Sequence, residues 1–255
     1  MFLLLKIVLV PALVASVTIA GRRWGPRIGG WLTALPVVAG PTLCFYAIEQ
    51  GNGFAARAAQ TTLAGLVAVA AHSVAYAWSC RRVTWPVSIT LGWLAFAGVT
   101  LALYQVQPSL IVSLVLALAS FAIAEKALPS RQPISGAAGN AARDLLMRML
   151  AAAFLVFALT SLADRLGPSL TGFLTPFPIA TAIIAAFTHV ESGPDAVVAY
   201  FQGFLSALNS FALFCFVFAL GLGRLGLPLA VAAALSLQLI VQAIHLWRMT
   251  RLLGS

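Results

Sequence analysis

Two stretches of this chain repeat one spacing that could build a binding site inside an apolar helix. They read "GPRIGGWLTALP" at residues 25–36 and "GPSLTGFLTPFP" at residues 167–178, both G-P-x-x-x-G-x-L-T-x-x-P. A proline within a helix lacks the backbone donor and clashes with the carbonyl four residues back, so it leaves a polar carbonyl without its helical partner. In hydrocarbon that break persists only where protein or water covers it. Counting ~1.5 Å per residue from about position 28 puts Pro36 ~12 Å into a ~30 Å layer, with Pro178 at a similar depth from the other face. Helix breaks that meet near the middle of a membrane are where many secondary transporters hold substrate and coupling ion. Gly30, Thr33, Pro36, Gly172, Thr175 and Pro178 are therefore candidate substrate-binding residues. The alternative is that Gly and Thr allow close helix packing while Pro only kinks.

Three further groups of residues have chemistry to offer. Glu49 and Glu191 each stand two residues before a glycine, at the ends of two apolar runs. A carboxylate beside hydrocarbon is a candidate gate or proton carrier, although at a helix end it also stays hydrated. Gln60 and Gln202 lie early in two other runs, the second followed by Ser206, Asn209 and Ser210; substrate contact and interhelical hydrogen bonding explain them equally. His72, His189 and His245 lack metal-site spacing, and Cys44, Cys80 and Cys215 lack the pairings of a zinc site or a disulfide framework. No metal, no cofactor and no nucleophile with an acid/base partner is expected, so the chain reads as a non-enzyme.

The elements that must position these residues are membrane helices. Hydrophobic residues make up 62% of the 255 and charged residues 8%, against roughly 25% charged in a soluble domain. The net charge of +9 comes from Arg and Lys in the short gaps between apolar runs, which is topology selection and not a nucleic-acid surface. The runs predict nine helices, at about 2–21, 28–48, 54–79, 85–105, 109–126, 145–163, 169–190, 195–222 and 227–247. The first has the look of a signal peptide, but Arg22, Arg23 and Arg27 follow it as at a stop-transfer boundary. One polar stretch, residues 128–144, reads as a linker.

Residues 25–86 align without a gap to residues 167–228, an offset of 142. Beyond the shared motif, the identical pairs include Phe45 with Phe187, Glu49 with Glu191, Gly51 with Gly193, Gln60 with Gln202, Arg82 with Arg224 and Pro86 with Pro228. The register extends back through Lys6 with Arg148 and Arg23 with Arg165, which makes a four-helix unit. Residues 1–107 and 145–255 are then two repeats, with a linker helix and cytoplasmic loop at 108–144. An odd number of crossings separates their first helices, so the repeats are expected to be inverted. Charge agrees: Arg22, Arg23, Arg27, Arg81, Arg82, Lys126, Arg131, Arg143, Arg148, Arg248 and Arg251 fall on one side, and Lys6, Arg57, Arg165 and Arg224 on the other. The positive-inside rule then sets the N-terminus outside and the C-terminus in the cytoplasm.

The stretch "GFLTPFPIATAIIAAFTHVESG" resembles the small GlpM-type bacterial membrane proteins, whose chains of about four helices carry a Gly-Leu then Pro-Phe-Pro pattern. The resemblance covers about a quarter of the chain and departs where the first copy reads Ala34-Leu35-Pro36. It implies that this chain is a fused antiparallel pair of such units, and it connects the chain with exopolysaccharide production. The architecture is also similar to that of the drug/metabolite transporter superfamily, but the first helix lacks the embedded Glu used by its small multidrug exporters. The expected function is secondary transport of a small solute by alternating access, and the competing reading is an accessory protein of envelope or exopolysaccharide assembly. The expected partners are the lipid bilayer and that solute, without nucleic acid, and a homodimer is compatible with both readings.

Overall fold

The computed structural model describes residues 2–130, 145–154 and 177–253, and among these all regular structure is α-helical. Helix α1 is Phe2–Trp24, α2 Pro26–Thr33, α3 Ala39–Gln50, α4 Asn52–Ser79, α5 Trp85–Val106 and α6 Leu110–Ala127, and α7 is Leu145–Phe154. The stretch Ile179–Leu253 is interrupted by non-helical backbone at Gly193 (φ 78°) and Gly226 (φ 73°). It therefore forms three helices, α8 at 179–192, α9 at 194–225 and α10 at 227–253. Four of these elements, α4, α5, α6 and the run from 179, contain segments long and apolar enough to cross a membrane. The described residues are thus all-helical, with several apolar helices suited to spanning a membrane.

The helix limits follow local chemistry. Gly51 and Gly193, one repeat offset apart, both sit at positive φ (86° and 78°) with extended ψ, where a side chain is strained and glycine is not. The next helix starts immediately after each. Pro86 and Pro228 each occupy the second position of a helix, Trp85–Val106 and 227–253, where the missing donor costs nothing.

Helix α4 is the centre of the bundle, packed on α3, α5, α6 and the 179–253 run. Its buried residues, among them Ala55, Ala59, Leu63, Leu66, Val69 and Tyr76, cover most of its circumference, as expected of a helix surrounded by helices. Helices α5 and α6 bury little of their surface and turn Leu94, Leu101, Val115 and Ile123 outward; in a membrane that face meets lipid.

Polar contacts fix the helix directions. Asn52, opening α4, donates to the Leu222 carbonyl near the end of α9 at 3.4 Å. At the other end Arg81 pairs with Asp195 at 2.8 Å, and the Cys80 thiol reaches the Pro194 carbonyl. Thus α4 and α9 run antiparallel along their whole length. Helix α6 runs parallel to α4, because Gln60 donates to the Pro108 carbonyl at 2.9 Å while the Trp78 indole donates to the Ala127 carbonyl at 2.7 Å. Its 18 residues measure ~27 Å, enough to cross a ~30 Å layer with its flanks.

Candidate functional site

The span expected over 28–48 is broken at its motif proline, into Pro26–Thr33 and Ala39–Gln50. Thr33 ends α2 by turning its hydroxyl back to the Gly29 carbonyl at 2.9 Å, and Leu35 closes a tight turn on the Leu32 carbonyl at 3.1 Å. Pro36 would have faced that same carbonyl had the helix continued. The chain restarts at Ala39, with Gly40 bonding to the Pro36 carbonyl at 2.9 Å. The N-cap Val38 supplies no side-chain cap, but Gly40 and Thr42 spend their N–H groups on the Pro36 and Val38 carbonyls and residue 41 is a proline, so Ala39 is the one first-turn donor left toward the break.

Around the break, side chains from three later helices converge. Tyr200 of α9, 1% exposed, donates its hydroxyl to Thr33 Oγ1 at 3.1 Å and also engages Thr181 at the start of α8. One phenol therefore joins the residue three before Pro36 to the residue three after Pro178. The Trp31 carbonyl, orphaned by the end of α2, accepts from Gln242 Nε2 at 3.0 Å. Gln242 Oε1 in turn accepts from Ser210 of α9. Both Gln242 and Ser210 are buried, so the freed carbonyl is covered by protein, which is the condition for such a break in hydrocarbon.

Gln238 stands one turn from Gln242 and is 1% exposed. Neither its amide nitrogen nor its oxygen has a partner. Its level follows from the α9–α10 hairpin, in which Gly221 lies against Ala230 and Ser210 against Gln242; this register sets Gln238 opposite Phe214. The Phe214 ring in turn lies 3.7 Å from the Cβ position of Gly40, in the first turn of α3. An unused amide donor and acceptor are thus held at the level of the break. Buried amides are normally satisfied, and this one is not.

The site is rigidly backed. A Cβ on Gly30 would lie 1.9 Å from the Tyr200 carbonyl oxygen, and one on Gly203 would lie 1.8 Å from the Arg27 carbonyl oxygen. Helices α2 and α9 therefore touch backbone to backbone, and glycine is required at both crossings.

The predicted site residues separate into groups. Gly30, Thr33 and Pro36 come together at the break, and Pro178 is buried at the entry to α8, beside Phe177, whose ring packs on Trp93 and Phe96. Gly172 and Thr175 lie outside the described residues. Gln60 sits at the Pro108 end of α4. Gln202 is half-buried on α9, two residues past Tyr200 and so about 200° around the helix from it. Glu49 is exposed at the end of α3. Glu191 joins the opposite end of the bundle, paired with Arg22 at 3.2 Å and with the buried Arg148. Gln238, Gln242, Tyr200 and Thr181 were not among the predicted residues. Two glutamines at i, i+4 in the apolar run "LQLIVQAI" were the available signal for the first two.

Comparison with known protein families, with curated proteins and with solved structures finds none that matches this chain.

Proposed function

We propose that the protein is a membrane transporter that moves a small polar solute by alternating access about the break at residues 34–38. The observation that carries this reading is Gln238, a buried amide without a partner, level with the uncapped first turn of α3. Together they offer an amide donor, an amide acceptor and the Ala39 backbone donor, which suits a solute bearing both hydroxyl or amide groups and an acceptor oxygen. Tyr200, Thr33, Gln242 and Ser210 would hold the wall of the site.

We infer nine crossings arranged as two inverted repeats. Support comes from the antiparallel run of α4 and α9, which correspond at the offset of 142. It comes also from Glu191, which pairs with Arg22 near the end of the first helix of one unit and with Arg148 near the start of its counterpart. Rocking of one unit against the other would expose the break to each side in turn. The charge distribution assigns the Arg22, Arg81 and Arg148 end to the cytoplasm.

The test is solute flux into liposomes containing the purified protein, screened over small neutral and anionic polar compounds. Uptake of one class that Gln238→Leu abolishes supports transport at this site. An absence of flux across the panel, with the break closed to water, favours the accessory role in envelope assembly.

A further inference from the structure

A second group of polar atoms lies deep in the bundle, apart from the helix break. His72 of α4 is 0% exposed and stands seven residues before Ser79, ~10 Å from the end of the helix. Its ring rests against the Gly92 backbone of α5, where a Cβ would come within 2.7 Å of Nδ1, and the Phe201 ring of α9 lies 6.3 Å away. Neither ring nitrogen makes a hydrogen bond of good geometry, the Gly92 backbone being the polar group within reach of the ring.

One turn toward the Arg81 end, the Tyr76 ring is centred 6.2 Å from His72, and His189 of α8 is centred 6.3 Å beyond Tyr76. The Tyr76 hydroxyl and His189 Nδ1 are also buried without partners. His189 itself is half-buried and stands two residues from Glu191, at the end of the bundle where Arg22 and Arg148 collect. Three titratable rings thus form a line from the polar end of the bundle to a fully enclosed imidazole. Poorly satisfied polar groups in one line are costly in hydrocarbon, and ionisable groups kept inside a membrane mark ion pathways.

We propose that His72 is a proton-binding site at the closed end of a relay, with Tyr76 and His189 linking it to the aqueous end through bridging water. A proton arriving at one nitrogen of His189 releases the proton on the other. Tyr76 accepts on its oxygen as it gives up its own hydrogen, and His72 becomes an imidazolium. The net change is one proton taken from the aqueous phase. The groups facing His72 are Tyr76, the Gly92 backbone and Phe201; those facing His189 are Tyr76 and the Cys80 backbone. Beyond them lie the Cys80 thiol, Arg81 with Asp195, and Glu191 with Arg22 and Arg148, while Glu125 of α6 is exposed near Arg27. As a coupling site His72 rests on the transport function proposed above; as a proton site it does not.

The chain has three histidines, so nitrogen-15 histidine labelling with solid-state NMR in liposomes reads each one, assigned by His245→Gln and His189→Asn. The expected result is a His72 resonance that converts to imidazolium between about pH 9 and about pH 4 and exchanges with deuterated water. Tyr76→Phe and His189→Asn should slow that exchange roughly tenfold or more with unchanged thermal stability. A His72 ring that stays neutral and unexchanged across the range overturns the proposal, as does exchange indifferent to both variants. If His72 titrates through the relay but an imposed pH gradient drives no solute flux, the proton site stands and its coupling role falls.

Discussion

The Tyr200 hydroxyl donates to Thr33 Oγ1 at 3.1 Å, across a helix crossing so close that Gly30 touches the Tyr200 carbonyl. Thr33 donates its own hydroxyl to the Gly29 carbonyl. The end of α2 is therefore tied to α9 by a polar chain that needs both hydroxyls. Interhelical hydrogen bonds in membranes are worth about 0.6 kcal/mol on average. Tyr200→Phe and Thr33→Val should each destabilise the protein modestly, and the double variant should cost less than the sum by about that amount. Thermal unfolding of the four proteins in detergent measures the coupling.

The glycines at this crossing should be far less tolerant than the hydroxyls. Gly30→Ala and Gly203→Ala place a methyl group under 2 Å from a carbonyl oxygen, so α2 and α9 must separate. The expected loss is roughly 3 kcal/mol or more for each, seen as little monodisperse protein after extraction. Gly98→Ala, which meets open space, should express normally.

Glu49 and Glu191 correspond at the repeat offset but should respond differently. Glu191→Gln deprives Arg148, whose side chain is 3% exposed, and Arg22, 31% exposed, of their carboxylate. The partly exposed setting reduces the effect from that of a fully buried pair to about 1–2 kcal/mol. Glu49→Gln, at an exposed position, should stay within about 0.5 kcal/mol. Melting temperatures of the two variants would separate these outcomes.

Cys80 follows the last turn of α4, and burial pushes its thiol up to about 11; Arg81 opposes that shift and Asp195 adds to it. The thiolate is the reactive form, so maleimide labelling of Cys80 in the folded protein should be slow at neutral pH. Its rate should climb about tenfold per pH unit below the thiol pKa, as the thiolate fraction grows. A rate that plateaus near pH 8.5 would mean an exposed, ordinary thiol.

Much of the helix layout was legible because apolar runs and their punctuation act locally. The limits expected at 85–105 and 109–126 fall within a residue or so of Trp85–Val106 and Leu110–Ala127. The break at Pro36 was legible for the same reason, since proline's missing donor acts on its own helix. What the residues alone did not reveal was what covers the break. Gln242 meets the Trp31 carbonyl across 211 positions, and Tyr200 meets Thr33 across 167; no local pattern encodes such pairings. Gln60 and Gln202 stood out through their repeat symmetry, but symmetry marks equivalent positions and not shared surroundings. One faces a helix end and the other turns away from Tyr200.

The most direct test of the account is thiol accessibility in the break. With Cys44, Cys80 and Cys215 replaced by alanine, single cysteines are introduced as Val37→Cys and Gln238→Cys and exposed to a membrane-impermeant thiol reagent from each side of sealed, oriented vesicles. The account predicts that both positions label from both sides, with the ratio shifting when a transported solute or a pH gradient is applied. Complete protection from both sides under every condition would contradict it and leave the break as a packing feature of the bundle.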